Sequence, residues 1–333
     1  MRRGVRLLLA VALVAGGPAA LAAFTSPTAA SNTIQTAADW LPPSVSATVI
    51  AKQTGYLAGS IKQGGTYYVY ANVADSGNPP AGISTVRSDV SVVTPGQTNV
   101  TLTAGSYSVN GVTYNYRSGL LTATNPLSAG SKNYSISSTD VLSYLNQQTF
   151  GTTVDNTPPS AFDIQTANRT GGSSGVAESG DTISFTFSEQ IDPHSILAGW
   201  TGASTNVVVY LNDGGCVLNL LLKVCGDDSF EVHSGGSLLA TLGPVNLKNP
   251  DYLGGGLLGG VSDAVFGATG TPSTMVQSGA SIIITLGTRS GSSPDQGGTT
   301  TTEWDSATSP YDAAGNAASG NVRSEQGGSD REF

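Results

Sequence analysis

The sequence predicts an all-β fold of two tandem modules, and three observations carry that prediction. Glycine is abundant, with 43 residues, while charged residues make up only 11%. A chain so rich in turn formers builds many short strands and few helices. Short runs of β-branched and aromatic residues alternate with polar ones at period two, the pattern of half-buried strands. A Pro-Pro pair also stands at the head of each half, in Trp40-Leu41-Pro42-Pro43-Ser44 and in Asn156-Thr157-Pro158-Pro159-Ser160. Such a pair is held extended and cannot enter a central strand, so each reads as a stiff joint before a folded unit.

Ahead of the first joint, Arg2, Arg3 and Arg6 precede the apolar run 7–14 and the small-residue stretch 19–23. This is the layout of a secretory signal peptide over 1–22, with 23–39 left as a flexible N-terminal segment. The apolar run is shorter than the roughly 20 residues of a transmembrane helix. The mature chain is therefore expected to be secreted, extracellular or at the cell surface, without membrane insertion. The formal net charge is −9, and loss of the signal arginines leaves 11 basic against 23 acidic residues. Such a polyanion repels nucleic acid and anionic lipid, which excludes both as primary partners. The acidic excess fits cation binding or plain solubility.

In the first module, 40–153, strands are expected at 44–50, 66–73, 83–93, 98–102, 106–109, 112–116, 119–123 and 134–138. Over 66–73, period two puts Tyr68, Tyr70 and Asn72 on one face and Tyr67, Val69, Ala71 and Val73 on the other. Val109-Asn110-Gly111-Val112 is a hairpin signal. About seven strands in about 115 residues is the density of an immunoglobulin-like sandwich. In the longer second module, 157–323, strands are expected at 161–165, 182–188, 206–211, 217–222, 230–233, 281–286 and 300–304. The Gly-Leu stretch 252–260 reads as a surface loop, residues 240–275 are left open as a subdomain, and 324–333 reads as a frayed tail. Cys216 and Cys225 are an even set in an exported chain and are expected to pair across a hairpin. Eight intervening residues and no neighbouring histidine speak against a zinc knuckle.

These features together resemble a known family. The leader ending Leu21-Ala22-Ala23-Phe24-Thr25, with its spacer to Ala38-Asp39-Trp40-Leu41-Pro42-Pro43-Ser44, resembles actinobacterial exported Ig-like repeat proteins with SipW-dependent-type signal peptides. Residues 180–193, Gly-Asp-Thr-Ile-Ser-Phe-Thr-Phe-Ser-Glu-Gln-Ile-Asp-Pro, resemble the opening of SbsA-type bacterial Ig-like domains. Asp312-Ala313-Ala314-Gly315-Asn316 resembles the turn that closes many of them. The resemblance implies tandem Ig-like β-sandwiches serving as spacers, stalks or surface-layer parts rather than enzymes. The first module departs from it: Thr139-Asp140-Val141-Leu142-Ser143-Tyr144 lacks the Gly-Asn pair, so the resemblance does not extend to Asp140.

The chain offers little for catalysis. His194 and His233 are the only histidines, and His194 stands in Asp192-Pro193-His194-Ser195, where turn formation accounts for Asp and Pro. Gly171-Gly172-Ser173-Ser174-Gly175 satisfies a nucleophile-elbow pattern but lacks the flanking strand and helix, so it reads as a loop. Glu178, Glu189, Glu231 and Glu303 could act as a glycosidase pair only if the fold brought two together. Trp200 and Trp304 fit either a sugar-stacking face or the core. Calcium is the one candidate cofactor, with Asp75, Asp192, Asp312 and Asn316 as its ligands, because this ion takes six to eight oxygens and loop Asp and Asn supply them. The alternative is that these residues simply make turns.

The expected function is a secreted or cell-surface structural or adhesive protein without catalysis, contacting surface or matrix proteins or itself. The alternative is a secreted carbohydrate-binding module for cell-wall or other polysaccharide.

Overall fold

The computed structural model describes residues 39–219, 222–253 and 263–333. The predicted signal peptide, nearly all of 23–39 and most of the Gly-Leu stretch 252–260 lie outside the described residues. The described chain is all-β, as predicted, with two large hydrophobic cores, one from residues 45–154 and one from 161–333, and a smaller cluster of Ala51, Tyr70 and Tyr114.

The first half builds a nine-stranded sheet from β1 (Ser44–Lys52), β2 (Ser60–Ile61), β3 (Thr66–Ala74), β4 (Ile83–Asp89), β5 (Val100–Val109), β6 (Val112–Ser118), β7 (Leu121–Thr122), β8 (Gly130–Asp140) and β9 (Leu145–Val154). The ladder runs β1-β3-β6-β5-β4-β8-β9-β2, with β7 on β3. One strand serves two neighbours: Val100 and Thr101 of β5 pair with β4, and from Leu102 onward β5 pairs with β6. Its register shifts between Ala104 and Tyr107, and that bulge is why the sequence splits β5 into 98–102 and 106–109.

Alternation in β3 works as predicted on one face. Tyr67, Val69, Ala71 and Val73 are at most 2% exposed and share a core with Val86, Tyr134 and Ile136. The other face is covered too, because Tyr70 packs against Tyr68, Tyr107 and Tyr114 at centroid separations of 5.7–6.5 Å. Arg117 lies 4.4 Å from the rings of both Tyr68 and Tyr107 and caps this aromatic layer. The predicted hairpin closes through Asn110 (φ 51°) and Gly111 (φ 72°), the two positive φ values of a type I′ turn.

The second half builds a twelve-stranded sheet from β10 (Ala161–Ala167), β11 (Thr182–Phe187), β12 (Thr205–Asn212), β15 (Ser229–Ser234), β16 (Ser237–Leu238), β17 (Val245–Asn246), β18 (Ala264–Phe266), β19 (Ser273–Ser278), β20 (Ser281–Thr285), β21 (Arg289–Gly291), β22 (Glu303–Asp305) and β23 (Val322–Ser324). A four-residue helix, α1 (Pro193–Ile196), follows β11, and β13 (Cys216–Asn219) and β14 (Leu222–Cys225) form a separate two-stranded sheet. Cys216 and Cys225 stand opposite each other in that ladder and are disulfide-bonded, as expected.

Three expectations about this half are corrected or settled. Within the segment 240–275, left open as a subdomain, the described strands β17, β18 and β19 all hydrogen-bond into the twelve-stranded sheet. The tail is not frayed, since Glu332 and Phe333 are 1% and 4% exposed and the Phe333 ring meets Phe230 at 5.4 Å. Its glycine-rich composition suggests fraying, but its partners are remote in sequence: Asp330 pairs with Thr300, and Gln326 donates to Asp163 Oδ1. Trp304 is fully buried and meets Phe185 and Phe187 edge-on at 5.3 and 4.9 Å, so it is the keystone of the core and not a surface ring.

Candidate functional site

A polar constellation lies where the two halves meet, and it starts from a short helix. Pro193 occupies the first turn of α1, where its missing N–H costs nothing, and Asp192 caps that turn by accepting from the His194 N–H. The carboxylate is fully buried. It also accepts from the backbone N–H groups of Tyr56 and Leu57 at 2.9 Å, and it meets Lys52 Nζ at 2.5 Å. Lys52, at the end of β1, further donates to the Leu57 and Ala313 carbonyls at 3.0 and 2.9 Å. Burial lowers the Lys52 pKa, against the opposing pull of Asp192 and Asp312. Gly55 is required here, because its φ is +142° and a Cβ would sit 2.5 Å from Asp192 Oδ2.

The turn 312–316 forms the other wall. Asp312 Oδ1 accepts from the Gly315 and Asn316 N–H groups at 2.6 and 2.8 Å, with Gly315 at φ +93°. Asn316 Nδ2 donates to Asp312 Oδ2 at 2.8 Å and to the Asp155 carbonyl at 3.0 Å, which ties the turn to the connector between the halves. Lys62 Nζ donates to the Gly315 carbonyl at 2.6 Å. Beside it lies a cleft of about 260 Å³ lined by Lys52, Lys62, Thr66, Tyr311 and Gly315. Carboxylate oxygens of Asp155, Glu189 and Asp312 lie within 4.8 Å of one another. Burial, and then the charges of Asp155 and Asp312, push Glu189 up to about 7.

The fold thus brings together three of the four residues predicted to hold calcium, and it gives two of them other partners. The cation on Asp192 is the Lys52 ammonium, and Asp312 spends its oxygens on its own turn. Asp75 stands beyond Ala74, which pairs with Ser44, whereas Lys52 pairs with Tyr67. That puts it at the other end of the β1–β3 ladder, roughly 25 Å away. There it closes its own loop by accepting from Gly77 and Gly82. Neither tryptophan offers a stacking face, a correction with a plain cause. Trp200 is 6% exposed and Trp304 0%, and each donates its indole N–H to a carbonyl, Ala203 and Leu242, at 2.6 Å.

The remaining candidates are dispersed. Glu178 pairs with Arg169, Glu231 with His233 and Glu303 with Lys248, at 3.6, 3.4 and 2.7 Å. His194 Nδ1 accepts from the Gly199 N–H at 3.0 Å, a turn-closing role. Lys52, Lys62 and Asp155 escaped the sequence reading because each meets partners more than a hundred residues away, and nothing local marks them.

The end of the first half opposite this junction carries a patch of another kind. Val141, Leu142 and Tyr144 of the β8–β9 turn and Leu145 at the start of β9 are 42–60% exposed. Asn146 Nδ2 donates to the Pro43 carbonyl at 2.8 Å, so the segment that carries Leu41 and Trp40, the latter 72% exposed, enters β1 at this end. The β8–β9 ladder runs from Thr139↔Leu145 to Gly130↔Val154, so the patch stands roughly 30 Å from the junction end.

No protein-family model matches the chain, and no curated protein matches it.

Proposed function

We propose that this chain is an exported, non-catalytic structural or adhesive element of the cell surface or extracellular matrix. The observation that carries this reading is the exposed apolar turn of Val141, Leu142, Tyr144 and Leu145 at the outer end of the first half, where the segment carrying the exposed Trp40 and Leu41 also enters the fold. Clustered large apolar side chains exposed together at a loop tip mark a contact surface, whereas isolated ones do not. The junction supports the same reading. Lys52, Lys62, Asp192 and Asn316 bond the halves through side chain and backbone, so a force applied at the patch passes into the second core. The Cys216–Cys225 disulfide suits an oxidising compartment. Among the described residues no helix is long and apolar enough to cross a membrane. The burial of Trp200 and Trp304 removes the residues on which a polysaccharide-binding reading rested.

The test uses the mature chain, residues 23–333, assayed by light scattering for self-association and by adherence to cells and matrix-coated surfaces. Assembly or adherence is expected, with loss of at least ten-fold in the triple variant W40S/L142S/L145S. A monomer that adheres to nothing overturns the proposal. So does adherence that the triple variant leaves intact.

A further inference from the structure

A second acidic cluster lies on the C-terminal segment. Glu325 follows β23, the chain turns through 326–329, and Asp330 pairs backbone-to-backbone with Thr300 at 2.8 and 3.1 Å. Glu332 then folds inward and is 1% exposed. One carboxylate oxygen from each of Glu325, Asp330 and Glu332 lies within 4.8 Å of the other two.

Acidic residues grouped on a surface need no ion, but this group is not a surface one. Glu332 uses Oε2 to accept from Thr166 Oγ1 at 2.5 Å, while its Oε1 is shut away from solvent with no hydrogen-bond donor. Glu325 Oε1 is shielded and without a donor as well. Around them, the Tyr252 hydroxyl is committed to the Glu332 N–H at 3.1 Å. Among the described residues, no lysine, arginine or histidine forms an ion pair with any of the three carboxylates. Two carboxylates with oxygens within 4.8 Å of each other repel, and a native fold tolerates such groups when a proton or a cation sits between them.

We infer that Glu325, Asp330 and Glu332 form a binding site for a hard divalent cation, with calcium as the ion it suits. All three donors are carboxylates, the ligand type of hard ions. Three carboxyl groups supply up to six oxygens, and the exposed Asp330 leaves an open side for water to complete a shell of six to eight. Magnesium demands a tighter octahedron, keeps several waters and is held through one or two carboxylates, whereas three converge here. The bound ion clasps the last segment to β10 through Thr166 and holds Phe333 against Phe230.

The test titrates calcium into the chelator-treated mature chain by calorimetry and follows thermal unfolding, with terbium as a luminescent probe sensitised by the adjacent Tyr252. The expected result is a site with Kd on the order of 10⁻⁴–10⁻³ M, the range of extracellular calcium modules. Calcium should raise the melting temperature, and E325Q and E332Q should each weaken binding at least ten-fold. D330N, a change at an exposed side chain, keeps the test valid if the buried variants misfold, and it too should weaken binding. D155N, in the junction cluster, should leave binding unchanged. No calcium uptake up to 10 mM, a figure on the order of ten times that Kd range, overturns the inference. So does uptake that D330N leaves intact, or uptake that D155N removes.

Discussion

At the scale of single residues, the junction concentrates its energy in one ion pair. Lys52 and Asp192 have side chains 8% and 0% exposed, and each is otherwise held by backbone groups. Removing one partner leaves the other charge buried, so Lys52→Met should destabilise the chain by about 3–5 kcal/mol in chemical denaturation. The double variant with Asp192→Leu should recover part of that loss, because both charges are then gone. Glu189 gives a prediction in pH. Its pKa is pushed up to about 7 in the folded chain from an ordinary 4.5. Between those values the folded chain holds a proton that the unfolded chain releases, and stability therefore falls as pH rises from about 4.5 to about 7. Glu189→Gln should flatten that part of the stability–pH curve, measured by denaturant midpoint at each pH.

At the scale of elements, three devices hold strands whose own sequences are weak. The β5–β6 turn needs Gly111 at φ 72°, and Gly111→Ala should cost about 1–2 kcal/mol, the penalty of a left-handed conformation for a residue with a Cβ. The edge strands β10 and β23 are joined through a side chain: Asn321 accepts from the Ala161 N–H at 2.9 Å and donates back to its carbonyl at 3.2 Å. That imitation of a strand pair closes an edge that would otherwise be open to other chains. The disulfide stitches β13 to β14 in a sheet of their own. A closed loop of about ten residues is worth about 2–3 kcal/mol in a chain-entropy argument. Because the hairpin is separate, its loss should appear locally: C216S/C225S should speed proteolysis within 213–228 while the main thermal transition moves little.

At the scale of the whole described chain, two cores share one polar junction. Asp155, Lys52, Lys62, Asp192 and Asn316 connect them without a shared apolar layer. Cooperative unfolding should therefore depend on these contacts. Scanning calorimetry of the intact chain should show a single transition, and the combined variant K52M/N316A should resolve it into two, one for each core.

The sequence by itself determined the all-β class, the period-two burial of β3, the Asn110–Gly111 turn and the pairing of Cys216 with Cys225. Each of these is local: it depends on residue types at fixed short spacing, and the same spacing recurs in the folded chain. It did not disclose β9, where Leu145–Val154 is mostly polar, turns only Phe150 and Val154 of its apolar residues toward the core, and pairs over ten residues with β8. Nor did it show that 324–333 is anchored, that Trp200 and Trp304 are core, or that Asp192 faces Lys52. Those outcomes were decided by tertiary structure. An aromatic ring or a carboxylate carries the same letters at a surface or in a core, and its role depends on partners 100 or more residues away, which only the fold brings within hydrogen-bond distance.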